Sequence, residues 1–573
     1  MIRVRDDLFV NYLVANLGAG TRHRNIRQFV KYLIGVQMKF GFMALLTILS
    51  LICVPATSAE ETRPNILLIV ADDLGFADLG VHGSRIQTPT IDSIAARGRV
   101  FSQFHTAPMC APTRAMLLSG NNNHVAGVGN QLPSKLLDGT PGFEHHLSDR
   151  IVPFPKLLQL AGYNTYMAGK WHLGEEAEQS PIHAGFKRSW ALGDGGANHF
   201  DSRGFTPNES RYFADGKEVA WPEGAYSTNF YTDKLISFLE ADQHDDKPFF
   251  IYAAYTSPHW PLQVPDAELD RYSGAYDDGY EALRVENLAN LKSSGLISSD
   301  HPLSQLHSSV QPWDSLTDHQ KKRQARAMEL YAAMVSNLDD NIARLLAALE
   351  RLGELENTLV IFMGDNGAAP SDLYNRGPFT KSIRSKYDNS DLERYGTADT
   401  FVSLGYGWAE AAAPFKYVKG YPTEGGVRAP FIAAGPMVVD SSVSHDYFTV
   451  MDLAPTFLEL AGADYPNTEG IAPLQGISLL KLLDGSSKSI HSADSATVID
   501  HNNRALVRRG NWKLVSMDSF VEKFALYNVL DDPTEQHDIA DQYPDIYNEL
   551  LAVWHQKARE YGIVNIPDKR VMK

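Results

Sequence analysis

Cys110 is the residue whose type and setting most directly suggest covalent chemistry. The chain has two cysteines. Cys53 lies in an N-terminal segment that we expect to be removed, which leaves Cys110 without a partner for an intramolecular disulfide. Within Cys110–Gly120, Pro112 suits the first position of a short helix and the final glycine suits its end. Free N–H groups at a helix start favour an anion beside Cys110, and Arg114 can reach the same place. From these residues alone, a buried cysteine acting as a small hydrophobe is an equally good interpretation.

Two pairs of oxygen-bearing side chains each follow an apolar segment. Asp72 and Asp73 come after residues 65–70, and Asp365 and Asn366 come after residues 359–363. Carboxylate and amide oxygens are the ligands that hard divalent cations such as calcium or magnesium prefer. A lone Asp-Asp pair more often forms a turn or a helix cap. Two such pairs, each directly after an apolar segment, favour a metal site.

Basic and imidazole side chains follow two further apolar segments. Lys170 and His172 come after residues 163–167, and His259 comes after residues 248–252. Together with Arg114 they would line a cationic pocket, which a tetrahedral oxyanion such as sulfate or phosphate requires. Taken one at a time, these residues could equally cap a strand or pack in the core. The prediction of an anion site therefore depends on their meeting in one place.

The elements that must position these side chains belong to an α/β fold. The four apolar segments predict continuous strands of a sheet that is buried on both faces. Helical patterns lie between them, the clearest being the apolar stripe after Thr317. Such folds bind ligands at the carboxyl ends of their strands, where all four polar groups fall. We therefore predict a large, mostly parallel or mixed sheet flanked by helices.

The pattern of apolar and turn-forming residues changes after about residue 475. Segments 495–499, 505–508, 512–515 and 524–527 resemble short strands separated by turns, and an amphipathic helix is predicted over 544–561. This pattern indicates a smaller antiparallel sheet with one helix. We expect three regions: a leader over residues 1–59, a catalytic domain over 60–475 and a C-terminal α+β subdomain over 476–573.

Two polar, irregular stretches, 265–320 and 370–410, are interpreted as insertions over the ligand-binding edge of the sheet. With Tyr255 and Trp260, they could shape a pocket for an aryl group or for a sugar. The sequence does not choose between these substrates.

The N-terminal region resembles a secretory leader. Met38 and Lys39 precede an apolar run over 40–54, and small residues then lead to a predicted cleavage site near Ala59. Met38 is an alternative start of the chain, and an uncleaved membrane anchor is an alternative to cleavage. We expect a periplasmic or secreted protein that meets a membrane only through this leader.

The charge of the chain argues against nucleic acid as a partner. The formal net charge is −17, from 52 basic and 69 acidic residues. Without the seven basic and two acidic residues of 1–59, 45 and 67 remain, a net charge of −22. Such a body repels a polyanion, so any anion site on it must be a local basic pocket.

Two motifs carry a resemblance to a known family. Cys110-Ala-Pro-Thr-Arg-Ala-Met-Leu-Leu-Ser-Gly120 resembles the sulfatase signature, Cys-x-Pro-Ser/Thr-Arg followed by x-x-x-Leu-Ser/Thr-Gly, and Gly169-Lys-Trp-His-Leu-Gly174 resembles the second sulfatase motif. The similarity extends from Arg63 to Glu535. It is strongest to bacterial type I arylsulfatases of the alkaline phosphatase superfamily, which implies an alkaline phosphatase-like fold.

The resemblance implies roles for ten residues. Cys110 would be oxidised to formylglycine by a maturation enzyme, and its hydrated gem-diol would be the nucleophile. One calcium ion would be held by Asp72, Asp73, Asp365 and Asn366. The remaining residues would position the diol or bind the sulfate and assist the leaving oxygen: Arg114, Lys170, His172, His259 and Lys419. Lys416 is a nearby alternative to Lys419.

The implied reaction hydrolyses a small-molecule or glycan sulfate ester in two steps. One diol oxygen attacks sulfur and displaces the alcohol or phenol; the second hydroxyl, deprotonated, then re-forms the aldehyde and expels sulfate. Asp365 could accept the proton of the nucleophile. Two alternatives stay open: a phosphodiester or phosphonate ester hydrolase of the same superfamily, and a non-catalytic binder of sulfated glycans with unmodified Cys110.

Overall fold

The computed structural model of the protein describes residues 63–132, 137–439 and 442–564. The predicted leader over 1–59, with the alternative start at Met38, lies outside these residues. Within them, no helix is long and apolar enough to cross a membrane.

A mixed sheet of ten strands forms the centre of the described chain, in the order β11-β2-β10-β9-β1-β8-β4-β5-β6-β7. With strands numbered along the chain, its members are β1 (Asn65–Ala71), β2 (Gly98–Phe101), β4 (Asn164–Lys170), β5 (Arg188–Leu192), β6 (Tyr212–Ala214), β7 (Lys217–Val219), β8 (Phe249–Ala254), β9 (Thr358–Gly364), β10 (Phe431–Ala434) and β11 (Val443–Ser444). A separate parallel pair is formed by β3 (Phe104–His105) and β12 (Phe448–Thr449).

The four strands predicted from apolar segments, β9, β1, β8 and β4, are neighbours and run parallel. Leu68 of β1 lies opposite Tyr252 on one side and Ile361 on the other. Alternate residues of β1 enter two different hydrophobic clusters, one on each face of the sheet. This two-sided burial explains why the segments are apolar throughout rather than alternating, and it confirms the predicted α/β sheet.

Helices cover both faces of the sheet. They are α1 (Pro89–Ala96), α2 (Cys110–Ser119), α3 (Phe154–Leu160), α4 (Ser227–Ala241), α5 (Tyr280–Ser293), α6 (Asp318–Leu352), α7 (Thr380–Lys386), α8 (Tyr406–Ala411), α9 (Glu424–Val427), α10 (Leu453–Ala461), α11 (Leu480–Leu483) and α12 (Pro544–Tyr561). The predicted stripe after Thr317 is α6, and Thr317 caps it by accepting the N–H of Gln320.

Residues 497–561 form the predicted smaller unit. Its antiparallel sheet has the order β13 (Thr497–His501), β14 (Arg504–Arg509), β15 (Trp512–Ser516) and β16 (Phe524–Asn528), and α12 packs against it. The antiparallel sheet and the closing helix are confirmed, whereas the boundary near residue 475 stays a prediction.

A buried ionic cluster joins the small sheet to the segment that carries α9. Lys513 Nζ lies 2.7 Å from Glu424 Oε1 and 2.9 Å from Glu535 Oε1. His105 Nε2 lies 3.0 Å from Glu424 Oε2, and Arg508 donates to the same imidazole at 2.9 Å. Buried charges need opposite charges as partners, because solvent cannot stabilise them. This cluster therefore ties the small sheet to the segment around Glu424.

Candidate active site

The polar groups predicted to meet do lie together, at the carboxyl edge of β9, β1, β8 and β4. Because these strands are adjacent and parallel, their carboxyl ends open onto one region. His172 and Lys419 are half-buried there, and the other eight predicted residues are buried: Asp72, Asp73, Cys110, Arg114, Lys170, His259, Asp365 and Asn366.

Cys110 is the first residue of α2, whereas the sequence predicted a helix that begins at Pro112. The helix starts two residues earlier than predicted, because Pro112 occupies its first turn, where its missing N–H would have had no partner in the helix. Gly120 ends the helix with φ of +67°, as expected. The Cys110 thiol therefore sits among the free N–H groups of the helix start.

The Cys110 sulfur is fully buried between opposite charges. Its Sγ lies 2.9 Å from Lys419 Nζ, 3.3 Å from Asp72 Oδ1 and 3.7 Å from Asp73 Oδ1. Burial, followed by the carboxylates of Asp365 and Asp72, raises the pKa of the thiol well above its usual range. An unmodified Cys110 is therefore protonated at neutral pH and is a poor nucleophile.

Two cations hold the acidic side chains beneath Cys110. Lys170 Nζ donates to Asp72 Oδ2 at 2.7 Å. Arg114 donates to Asp365 Oδ2 from Nε at 3.2 Å and from its terminal nitrogen at 2.9 Å. A further guanidinium N–H reaches the Lys170 carbonyl at 2.8 Å. Arg114 thus connects the ends of β9 and β4.

Two buried oxygens of this cluster are left without a hydrogen bond in the described chain. Asp73 Oδ2 and Asn366 Oδ1 accept none, and such orphaned atoms are costly unless a ligand satisfies them. Burial, followed by the Asp72 carboxylate, raises the pKa of Asp365 to about 6. An excess of buried oxygen ligands with mutual repulsion is the donor set that a hard cation would satisfy.

The ligand atoms closest to one another differ partly from the predicted set. Among the described His, Cys, Asp and Glu residues, those of Asp72, Asp73, Cys110 and His259 lie within 4.8 Å of one another. The structure engages Asp365 with Arg114 and with the N–H of Asp73, which donates to Asp365 Oδ1 at 3.1 Å. Asp72 and Asp73 belong to both sets.

Lys419 reaches the site, whereas its sequence neighbour Lys416 does not. Lys419 Nζ lies 2.5 Å from Asp73 Oδ1 as well as 2.9 Å from the sulfur. Although burial opposes the charged form, Asp73 and Cys110 outweigh it and raise the pKa of Lys419 above its usual range. Lys416 Nζ instead donates to the Glu535 carbonyl at 2.5 Å.

The imidazole ring of His259 faces the carboxylate of Asp73. Its Nδ1–H donates to the Trp260 carbonyl at 2.6 Å, which leaves Nε2 as an acceptor in the neutral ring. Nε2 lies 3.5 Å from the orphaned Asp73 Oδ2, and burial lowers the pKa of His259 well below its usual range. Two acceptors that face each other require a shared proton or a positive ligand.

A glycine pair that follows β5 packs against both histidines and was not predicted from the sequence. A Cβ on Gly195 would lie 2.7 Å from His172 Cε1, and one on Gly196 would lie 3.1 Å from His259 Cε1. Any larger residue would displace these rings. The signal was present, because Gly193-Asp-Gly-Gly196 follows a strand end just as the other polar groups do.

A cavity of 540 Å³ opens from Lys419, His172 and His259. Trp260 lines it as expected, but Tyr255 does not, because its hydroxyl is buried against Thr232 at 2.8 Å. The predicted insertion 370–410 contributes to the wall, whereas none of the lining residues comes from 265–320. The latter stretch lines a neighbouring cavity instead.

Comparison with known families and proteins gives consistent matches. The family model "Sulfatase" matches residues 64–463, and the model "N-sulphoglucosamine sulphohydrolase, C-terminal" matches residues 416–560. An uncharacterised sulfatase of Schizosaccharomyces pombe is 38% identical over 534 residues, covering 89% of this chain and 96% of that protein. An arylsulfatase of Klebsiella aerogenes is 37% identical over 438 residues, covering 74% and 93%.

Solved structures share the fold at lower identity. The structure of Ps i-CgsB in complex with k-i-k-neocarrahexaose has a TM-score of 0.62 and 24% identity, covering 87% of this chain and 93% of that one. A protein solved with its substrate D-glucosamine-2-N,6-O-disulfate has a TM-score of 0.58 and 22% identity, covering 89% and 100%.

Proposed function

Given that the chain belongs to the sulfatase family and is a sulfuric ester hydrolase, we propose that it works through a formylglycine made from Cys110 and through one calcium ion. One observation carries the proposal: the Cys110 sulfur lies 2.9 Å from Lys419 Nζ and 3.3 Å from Asp72 Oδ1, beside a cavity large enough for an ester. A nucleophile at this point has a cation and an oxygen-rich cluster on either side.

Conversion of Cys110 resolves the weakness of its thiol as a nucleophile. When matured to formylglycine, the residue supplies a hydrated aldehyde whose oxygen attacks sulfur. The groups that contact Cys110 Sγ would contact the diol after this conversion. Arg114 and Lys170 hold the carboxylates beneath Cys110. Lys419, which lies 2.9 Å from Sγ, would donate to the diol directly.

Asp72, Asp73, Asp365 and Asn366 are the residues that we expect to hold calcium. The orphaned oxygens Asp73 Oδ2 and Asn366 Oδ1 fit this assignment. When bound, the ion would neutralise the carboxylates and offset negative charge on the sulfuryl oxygens. The same carboxylates accept hydrogen bonds from Lys419 and Lys170.

The remaining polar groups face the place where the ester must bind. Lys419 would donate to the sulfuryl oxygens, and His259 would assist the leaving oxygen once its Nε2 has taken up a proton. His172 would hydrogen-bond the diol and assist the release of sulfate. Its Nδ1 has no hydrogen-bond partner in the described chain and is available for this task.

The substrate, location and maturation of the protein follow as further parts of the proposal. An aryl or carbohydrate sulfate ester is the expected substrate, since the relatives include an arylsulfatase and the fold neighbours a protein solved with a sulfated sugar. The leader predicted over 1–59 would direct the chain to the periplasm or outside the cell, and a formylglycine-generating enzyme would act on Cys110. The family does not favour the phosphodiester or phosphonate alternative or a non-catalytic binder.

The mass of the peptide that contains Cys110 tests the proposal. Protein produced in a host with a maturation system should have lost the thiol at Cys110, gained an aldehyde and hydrolysed 4-nitrophenyl sulfate. Protein from a host without that system should retain the thiol and be inactive. Full activity with an intact thiol would disprove the formylglycine mechanism.

The neighbours Lys419 and Lys416 offer a matched pair of variants. Lys419→Met should lower kcat/KM for 4-nitrophenyl sulfate by about 10²- to 10³-fold, the loss typical of one donor to a transition-state oxyanion. Lys416→Met should keep kcat/KM within about threefold, because Lys416 contacts only Glu535 and Tyr527 through hydrogen bonds. Equal losses in the two variants, at equal calcium content, would contradict the assignment of Lys419.

A further inference from the structure

The cavity beside Cys110 has one aromatic wall. Phe205 and Trp260 pack with ring centroids 4.6 Å apart, and Phe205 lies over His259 at 6.2 Å. Phe379 and Leu373 extend this apolar surface. A flat or weakly polar alcohol can therefore desolvate against this side of the cavity without losing hydrogen bonds.

The remaining lining includes four carboxylates, Glu144, Glu175, Glu176 and Asp194. Two of them are paired with cations. Glu144 lies 3.1 Å from Arg150, and Glu176 lies 3.1 Å from Arg211.

Glu175 and Asp194 form no ion pair within the part of the chain that the structure describes. Asp194 accepts only the backbone N–H of Arg211, at 2.7 Å. Neither carboxylate is thus bound directly by a lysine or arginine side chain, although the Arg211 charge acts on Asp194 from a longer distance.

The positively charged side chain that lines the cavity already has partners within the protein. Among the described residues that line the cavity, Lys419 is the one lysine or arginine, and it is bound to Asp73 and Cys110. The other basic side chains of the lining are the imidazoles of His145, His172 and His259, and none is a guanidinium or ammonium group. A second anion on the substrate would find no free cation here.

We propose that this cavity selects sulfate esters whose alcohol carries no second negative charge, and that Glu175 and Asp194 impose the selection. The proposal rests on the sulfatase function and narrows its substrate class to singly charged esters, preferably with an aromatic alcohol. Disulfated and carboxylated sugars would be disfavoured by like-charge repulsion from these two carboxylates, of which Asp194 is half-buried and Glu175 is exposed.

A pair of substrates that differ only in charge tests the proposal. One is an aryl sulfate with a carboxamide on the ring, and the other carries a carboxylate at the same position. The selectivity is the ratio of kcat/KM for the carboxamide to that for the carboxylate. It should fall about tenfold in the double variant Glu175→Gln/Asp194→Asn at low ionic strength. It should also fall in the wild type as salt is added.

Glu178→Gln is the matched control. Glu178 lies on the same segment and is exposed, but it does not line the cavity. Its variant removes one surface charge, half of what the double variant removes, and should leave the ratio unchanged. A ratio that is the same in the wild type and the double variant, or that falls equally in Glu178→Gln, would overturn the charge filter. Absence of turnover for both substrates in mature wild-type protein would instead count against the proposed function itself.

Discussion

Replacing Cys110 with alanine is expected to lower kcat for 4-nitrophenyl sulfate by about 10⁴-fold or more, because the group that forms the covalent bond is removed. The fold should survive the change. Cys110 forms no disulfide, and loss of one buried sulfur atom costs on the order of 1 kcal/mol of the free energy of unfolding. Steady-state kinetics and thermal denaturation of the two proteins would measure these effects.

The matched comparison is wild-type protein that has not passed through a maturation system. It should be as inactive as Cys110→Ala, since the pKa of its buried thiol is raised. Appreciable turnover by Cys110→Ala, beyond about 1% of the mature enzyme, would mean that another group attacks sulfur.

Asp72→Asn is expected to lower bound calcium from one equivalent to well below half and to reduce kcat/KM by about 10³-fold, because a carboxylate ligand is lost. The change would also leave Lys170 without the anion that it contacts at 2.7 Å. Metal analysis of the purified protein gives the first effect directly. Added calcium should raise the Tm of the wild type more than that of the variant.

Asp78→Asn provides the control for this measurement. Asp78 is also a buried carboxyl after β1, but it accepts the Tyr331 hydroxyl at 2.7 Å, and burial raises its pKa to about 7. Its variant should therefore retain calcium and activity. Unchanged calcium stoichiometry in Asp72→Asn would show that Asp72 is not a ligand.

The positions of the central strands could largely be predicted from the sequence, because a strand that is buried on both faces must be apolar at every position. Segment 359–363 lies within β9, and segment 65–70 lies within β1. Their adjacency was not readable, since the pairing of β9 with β1 joins residues nearly 300 positions apart. Local pattern fixes an element, whereas partners depend on packing of the whole chain.

The site residues were predicted from their positions at strand ends and from two motifs. The glycine pair and the carboxylates of the cavity lining were not predicted. Gly195 and Gly196 act through the side chains that they lack, so only their position after β5 could have marked them. The four carboxylates of the cavity lining, Glu144, the adjacent pair Glu175 and Glu176, and Asp194, come from separate parts of the chain. Similarly, Lys416 and Lys419 are three residues apart, but Lys416 donates to the Glu535 carbonyl and Lys419 to the Cys110 sulfur.

The buried cluster of Lys513, Glu535 and Glu424 also bears on how such proteins can be recombined. Glu424 follows Lys419 by five residues, and its backbone N–H donates to Glu535 Oε2 at 2.7 Å. Arg504 of the small sheet donates to the Gly420 carbonyl at 2.7 Å. A chimera that exchanged the small sheet alone would leave the buried Glu424 without its partners in that sheet, close in sequence to Lys419 of the site. The exchangeable unit is therefore the sheet together with the loop from about residue 416, which is where the second family match begins.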